Sequence, residues 1–263
     1  ARSAVHSAPR VIDLHSHILP AVDDGAQDLA DSLAIARAAI SDGITIIAAT
    51  PHVRDDFPTS VETMEQRVDE VRIALSGAGL SLDVRTGGEL ALDRLDLLTS
   101  EELRRFGLAG NSAYLLLETP YYGWPLELVS RVNRLRASGV TAVIAHPERN
   151  PEVQATPELL RPLADAGALI QITAASVDGR LGRQARGAAR HLIDAGLVDL
   201  LASDAHSSGL RDVGMSQAAN AVGDRALAHW LTTAVPAAIV GGEGIPERPT
   251  PRRRSFRRRL LNR

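Results

Sequence analysis

Val11-Ile12-Asp13-Leu14-His15-Ser16-His17, followed by Pro20-Ala21-Val22-Asp23-Asp24-Gly25, is the stretch on which the reading of this chain turns. Val11, Ile12 and Leu14 predict a short buried strand. Residues i and i+2 of a strand share one side, so His15 and His17 aim two imidazoles at one point beyond the strand end. Neutral imidazole is the commonest metal ligand among side chains. The carboxylate pair Asp23 and Asp24 follows, just before a glycine that permits a turn. Two histidines at this spacing equally suit an exposed or a core-satisfied pair. The rest of the chain decides between the readings.

Outward from this stretch, apolar strand-like runs alternate with helix-like segments. Strands are predicted near Val11–Leu14, Ile44–Ala49, Leu82–Thr86, Ala113–Leu117, Val140–Ala145, Ala168–Ile172 and Val198–Ala202. Helices are predicted near Leu29–Ser41, Val61–Ser76, Leu95–Phe106, Pro125–Ser138, Pro157–Ala166, Leu181–Ala195 and Met215–Val222. Gly43, Gly139, Gly167 and Gly196 stand where helices end before the next strand, as expected of a residue that accepts left-handed backbone. The alternation predicts an α/β fold with a parallel sheet, and seven units suit a closed barrel better than an open sheet.

Composition narrows the function classes. The chain has 263 residues, a length that barrels reach as one domain, and 44% of them are hydrophobic, enough for a full core. It has no cysteine, which removes thiolate metal sites and a cysteine nucleophile. No stretch approaches the ~20 apolar residues of a membrane span, and a cytoplasmic location is expected. All 29 basic residues are arginine, and those from Arg248 to Arg263 concentrate at the C-terminal end. The body is therefore acidic, which argues against a general nucleic-acid surface. Three parts are expected: a mobile lead-in over 1–10, a catalytic domain over 11–245, and a Pro/Arg-rich tail over 246–263 that suits solvation or contact with an anionic surface or acidic partner.

The polar residues fall in a pattern. After the first strand come His15, His17 and Asp24; after the second, His52; after the third, Glu89. The fourth ends in Glu118, the fifth in His146-Pro147-Glu148-Arg149, the seventh in Ser203-Asp204-Ala205-His206. Only the sixth, running into Thr173-Ala174-Ala175-Ser176, offers no strong ligand. In parallel α/β barrels the C-terminal strand ends carry the active site. The converging set is His15, His17, Asp24, His52, Glu89, Glu118, His146, Asp204 and His206. Singly, His52 suits packing, Glu89 a solvated loop and Asp204 a cap, and Asp23 competes with Asp24. Together they exceed the four to six ligands of one ion and suit two or three, with a bridging carboxylate. A nitrogen and oxygen donor set without sulfur suits manganese, iron or zinc. Such ions yield hydroxide near neutral pH and neutralise an anionic substrate, as phosphoester hydrolysis requires. Arg149 and Arg211 stand close to ligands and are expected to hold the phosphate, the alternative being ion pairs to Glu148 or Asp212. Asp204 and His206 count among the catalytic residues as well as the ligands.

These residues resemble the PHP (polymerase and histidinol phosphatase) superfamily, and most of all its bacterial capsule and exopolysaccharide tyrosine phosphatases. The matching words are Ile12 to Leu19, Val22-Asp23-Asp24-Gly25, Thr50-Pro51-His52, Gly88-Glu89, Leu117-Glu118, Ile144 to Arg149 and Ala202 to His206, over about Val11 to Gly242. The resemblance implies a distorted (β/α)7 TIM-like barrel with up to three divalent ions, usually manganese. It implies that all nine residues ligate, with Glu89 bridging. It further implies attack of metal-bound hydroxide on phosphotyrosine of a tyrosine autokinase regulating polysaccharide export. The alternative within the superfamily is a phosphatase of a small metabolite such as histidinol phosphate; homo-oligomers are a possibility for either. Some members carry Ser-Ser-His where this chain has Ala174-Ala175-Ser176.

Overall fold

The computed structural model describes residues 11–207, 209 and 212–250. The elements run β1 (Val11–Ser16), α1 (Leu29–Ser41), β2 (Ile44–Ala49), β3 (His52–Val53), α2 (Val61–Gly77), β4 (Asp83–Arg85), β5 (Glu89–Ala91), α3 (Ser100–Arg105), β6 (Tyr114–Glu118) and α4 (Leu128–Ala137). They continue with β7 (Thr141–Ala145), α5 (Pro151–Ala155), α6 (Arg161–Asp165), β8 (Leu169–Thr173), α7 (Ala174–Asp178), α8 (Gly182–Asp194), β9 (Leu200–Ala202), α9 (Met215–Val222), α10 (Arg225–His229) and α11 (Val235–Gly241).

Every strand pairing is parallel. The strands form two sheets, in the orders β1-β2-β4 and β3-β5-β6-β7-β8-β9. β1 and β6 are buried along their whole length, as expected of strands covered on both faces. α1 and α2 carry apolar stripes, Ile35, Ala36 and Ala39 on α1 and Val61, Met64, Val68, Val71 and Leu75 on α2, and pack against β2 and β4 respectively. Asp28 and Ser60 cap the first turns of α1 and α2 through their side-chain oxygens.

The parallel α/β architecture agrees with the alternation of the sequence, and two short strands, β3 and β5, follow the predicted second and third strands without having been predicted. Pro51 has no N–H to give, and it separates β2 from β3. Thr86-Gly87-Gly88 separates β4 from β5, and the Phe106 ring packs so closely on Gly88 that an added Cβ would lie 2.6 Å from it. With these two additions the described residues form nine strands where seven were expected. Two predicted helices divide. Leu95–Phe106 becomes a 3-10 turn, Leu92–Asp96, followed by α3; Pro157–Ala166 becomes a 3-10 turn, Pro157–Leu160, followed by α6. Thr99, which caps α3 in a reciprocal pair with Glu102, starts a new helix and does not continue an old one. After Val222 the chain adds α10, a π-turn over Trp230–Ala234 and α11, none of them predicted. Among the described residues no helix is long and apolar enough to cross a membrane.

At the N-terminal ends of the strands, Ile170 N–H donates to Asp199 Oδ2 at 2.8 Å, and Arg248 donates to Val198 O while lying over the Trp230 ring. Burial pushes the Asp199 carboxyl up to about 6, against the pull of Ile170 N–H and Arg248. The folded chain thus keeps this proton up to about pH 6, whereas the unfolded chain releases it near its ordinary 3.8. Stability from this group is fully present below pH 4 and declines as pH rises to 6. Asp199→Asn should lack that slope. In urea unfolding at pH 4.5 and 6.5, the variant should gain about 1–3 kcal/mol relative to wild type at the higher pH.

Candidate metal centre

All nine residues of the predicted set meet at the C-terminal ends of the strands. They form four overlapping groups whose ligand atoms lie within 4.8 Å of one another: His17, Asp24, His52 and His206; His15, His17 and Glu89; His15, His146 and Asp204; His52, Glu89 and Glu118. Eight of the nine are buried; Asp24 is nearly half exposed.

Hydrogen bonds to one ring nitrogen orient the other. His15 Nδ1 donates to Gln171 Oε1 at 2.9 Å, His17 Nδ1 to Asp23 Oδ2 at 2.7 Å, and His206 Nδ1 to the Asp204 carbonyl at 2.9 Å. Because each of these partners only accepts, the proton sits on Nδ1 and the Nε2 lone pair faces the cluster. Asp23 also accepts from the N–H groups of Gly25 at 2.9 Å and His52 at 3.0 Å. This separates the two adjacent aspartates: Asp23 orients His17, and Asp24 reaches the groups, 3.4 Å from His52 Nε2 and 3.2 Å from His206 Nε2.

Glu89 belongs to two of the groups, as do His15, His17 and His52, and it alone lies against four imidazoles. Its Oε2 lies 3.4 Å from the Nε2 atoms of both His15 and His17 and 2.9 Å from His52 Nδ1, and its Oε1 lies 2.6 Å from His146 Nε2. Asp204 Oδ1 lies 3.5 Å from His15 Nε2 and 3.3 Å from His17 Nε2. Lone pair therefore faces lone pair across 3.3–3.5 Å, which is repulsive unless a positive charge lies between. Buried Glu89 Oε2 and His52 Nδ1 make no hydrogen bond. The donor set fits divalent cations. Without a cation, protons on the imidazoles supply the balancing charge: burial alone would raise the Glu89 carboxyl, yet His15 and His146 hold it well below the usual range. Burial alone would lower His17, yet Asp23, Asp204 and Glu89 hold it well above. For His146 burial wins and takes it down to about 4, so its imidazole is neutral at physiological pH.

The backbone is shaped around these side chains. His146 and Asp204 adopt left-handed conformations, with φ of 33° and 53°. Residues with a Cβ enter this region rarely, at a cost of order 1–3 kcal/mol. Asp13, the polar residue inside the first apolar run, accepts from Ser203 N–H at 2.9 Å and Ser203 Oγ at 2.5 Å, tying β1 to the loop that carries Asp204. Asp204 N–H in turn donates to His15 O at 2.9 Å.

Of the two expected arginines, Arg149 donates to Asp204 Oδ2 at 2.5 Å. Its partner is thus a member of the cluster and not Glu148, whose Oε1 accepts from Thr173 N–H at 2.9 Å and Ser176 Oγ at 2.6 Å. Arg211 lies outside the described residues, as do 1–10 and the tail beyond 250. The sequence reading missed Gln171 and Arg54. Gln171 was legible in principle as a lone polar residue inside an apolar run, Ala168 to Ile172. Arg54, which donates to both Glu118 oxygens at 3.3 Å, gave no such signal.

Gly25 allows the Asp23-to-Ala26 turn to close on His17. A Cβ there would lie 2.2 Å from His17 O and 2.4 Å from His17 Cβ. Gly25→Ala should therefore cost about 1–3 kcal/mol in urea unfolding of the metal-free protein and also lower metal retention on gel filtration. A variant with normal stability and full metal content would show that the contact is relieved without moving His17.

Comparison with known proteins gives a consistent answer. The profile of the family described as "Capsular polysaccharide synthesis, CpsB/CapC" matches residues 11–234. Tyrosine-protein phosphatase YwqE of Bacillus subtilis is 36% identical over 200 residues, 75% of this chain and 78% of that protein. Putative tyrosine-protein phosphatase CapC of Staphylococcus aureus is 32% identical over 200 residues, 75% of this chain and 77% of that protein. A solved structure from work on YwqE and Streptococcus pneumoniae CpsB, described as unique metal-dependent tyrosine phosphatases, superposes with a TM-score of 0.81 at 32% identity, covering 92% of this chain and 100% of that one. Molinate hydrolase, with a TM-score of 0.57 at 13% identity over 89% of this chain and 73% of that one, shares the fold alone. The chain belongs to the CpsB/CapC family of capsular polysaccharide synthesis proteins.

Proposed function

We propose that this protein is a metal-dependent protein-tyrosine phosphatase, acting on a phosphotyrosine protein such as a tyrosine kinase of capsule or exopolysaccharide synthesis. The observation that carries the proposal is the convergence of His15, His17, Asp24, His52, Glu89, Glu118, His146, Asp204 and His206 into four shared groups. These residues would hold two or three divalent ions, manganese in preference, with Glu89 shared because it lies against four imidazoles. The relatives named as tyrosine-protein phosphatases support the same reading. For the fold we infer a single distorted (β/α)7 barrel formed by both sheets. Support comes from Glu89 N–H donating to Pro51 O at 3.0 Å, from His17 N–H donating to Ala205 O at 2.8 Å, and from the parallel bridge between Ser16 and Ala205. The catalytic unit is taken as 11–245 with a Pro/Arg-rich extension, of which Pro246 is held by a bond from Trp230 Nε1 at 3.0 Å.

Bound divalent ions supply Lewis acidity that makes water nucleophilic near neutral pH and offsets phosphate charge. Arg149, a quarter exposed and bonded to Asp204, is placed to grip a phosphoryl oxygen from the edge of the cluster. Arg211 is assigned the same role from its place after His206 in the sequence. Asp204 holds Arg149 as well as facing His15 and His17, so it couples the phosphate grip to the ligand groups. Ser176 stands where some members carry histidine, and its buried hydroxyl donates to Glu148 Oε1. A tyrosyl leaving group, with a pKa of about 10, tolerates the lack of a strong proton donor far better than an alkyl alcohol.

Purified protein should contain two or three equivalents of divalent metal by elemental analysis. Chelation should abolish phosphotyrosine-peptide hydrolysis and manganese should restore it, with histidinol phosphate and single-stranded DNA much poorer substrates. Faster turnover of histidinol phosphate would instead identify a small-metabolite phosphatase. Arg149→Ala should lower kcat/KM roughly 10- to 100-fold at normal metal content, as expected for loss of a charged hydrogen bond. Asp23→Asn should weaken metal affinity by about 10- to 100-fold through misorientation of His17.

A further inference from the structure

Beyond Glu118 the chain runs through Thr119-Pro120-Tyr121-Tyr122-Gly123-Trp124-Pro125-Leu126. This loop is fastened in place. Asn150 Nδ2 donates to Pro120 O at 2.8 Å and Gly123 O at 3.1 Å, and Gly123 N–H donates to Glu152 Oε1 at 2.9 Å. Asn150 also caps α5, accepting from Glu152 N–H at 2.9 Å, so one buried side chain ties the loop to the segment carrying His146 and Arg149.

Between this loop and the end of β5 lies a cleft of about 400 Å³. That is within the roughly 300–1,000 Å³ of small-ligand sites. Glu118 and Arg54 line it on the side of the ligand groups, and Leu92, Pro120, Pro125 and Tyr121 supply its apolar surface. Tyr121 is 52% exposed, yet its ring is oriented: Arg54 Nη1 donates to Tyr121 Oη at 3.2 Å, and the guanidinium lies 5.7 Å from the Tyr121 ring centre and 5.3 Å from that of Phe57. Arg54 is held in turn by Asp56 at 2.8 Å and by Glu118. An oriented aromatic ring is thus presented to solvent, next to apolar surface that is continuous with a member of the metal centre.

We propose that this cleft receives the aromatic ring of the phosphotyrosyl side chain, with Tyr121 as the specificity-determining residue and Arg54 as its positioning residue. This rests on the phosphatase reading above. A phosphoryl group gripped at the ligand groups leaves its ester oxygen pointing toward an adjoining surface, and Glu118 belongs to both the centre and the cleft. The apolar walls and the Tyr121 ring match an aryl group and give a short alkyl ester nothing to pack against.

The test uses the metal-loaded full chain with two readouts: steady-state kinetics on a phosphotyrosine peptide, and calorimetric binding of the same peptide carrying non-hydrolysable phosphonomethylphenylalanine, beside inorganic phosphate. Tyr121→Ala should raise peptide KM and weaken phosphonopeptide binding about five- to ten-fold, the contribution of one aromatic contact. Its kcat and its affinity for inorganic phosphate should move less than twofold. Tyr121→Phe, which keeps the ring, should restore both constants to within about twofold of wild type. Tyr122→Ala, one residue on and outside the cleft lining, is the control and should leave them unchanged. Equal losses in phosphate and phosphonopeptide affinity, or equal effects of Tyr121→Ala and Tyr122→Ala, would overturn the subsite. Wild-type protein that binds phosphonopeptide in a Tyr121-dependent way but hydrolyses no phosphotyrosine would refute the phosphatase reading and leave the subsite standing.

Discussion

Buried charge has to be balanced, and at the mouth of this fold that constraint governs everything around it. Five imidazoles and four carboxylates form four overlapping groups, within each of which the ligand atoms stand within 4.8 Å of one another. With Nδ1 of His15, His17 and His206 committed to outward acceptors, their Nε2 lone pairs point at one another and at carboxylate oxygens. In a medium that excludes water such an arrangement persists only with positive charge inside it. The donor set is one that could hold metal ions, and charge balance, more than apolar packing, is what the gathering of these side chains has to satisfy.

Holding the donors there imposes demands on the scaffold. Two candidate ligands, His146 and Asp204, sit in left-handed backbone, and Gly25 leaves no room for a side chain beside His17. The strain is confined by bonds that cross between strands: Asp13 to Ser203, Asp204 N–H to His15 O, Glu148 to Thr173 and Ser176. Fully buried strands behind the site provide the rigid base against which a few kcal/mol of local strain are sustained. The aromatic loop after Glu118 follows the same logic, since Asn150 fastens it to the segment that carries His146.

The same balance accounts for the division of labour between neighbours in the chain. Asp23 and Asp24 are chemically identical and adjacent, yet one orients a ligand and the other faces the groups. His146, Glu148 and Arg149 lie within four residues, yet they point respectively at Glu89, at the start of α7 and at Asp204. A tight turn rotates successive side chains to different directions, so proximity in sequence says little about shared function there.

The nine candidate ligands were legible from order alone, because each follows an apolar run and parallel strands bring their C-terminal ends to one side. The alternation of elements, the extents of β2, α1 and α9, and the glycine helix ends were legible for the same local reasons. The short strands β3 and β5 and the segments after Val222 were missed, because two or three residues carry too little pattern to be read as a strand and the pairing of β3 with β5 is a tertiary contact. The role of Asp23 toward His17, that of Gln171 toward His15, the pairing of Arg149 with Asp204 and the Arg54–Tyr121 contact were decided only in three dimensions. Each depends on which of several nearby polar groups a side chain meets. That is set by turns and by partners up to 156 residues away in the chain, which local pattern does not encode.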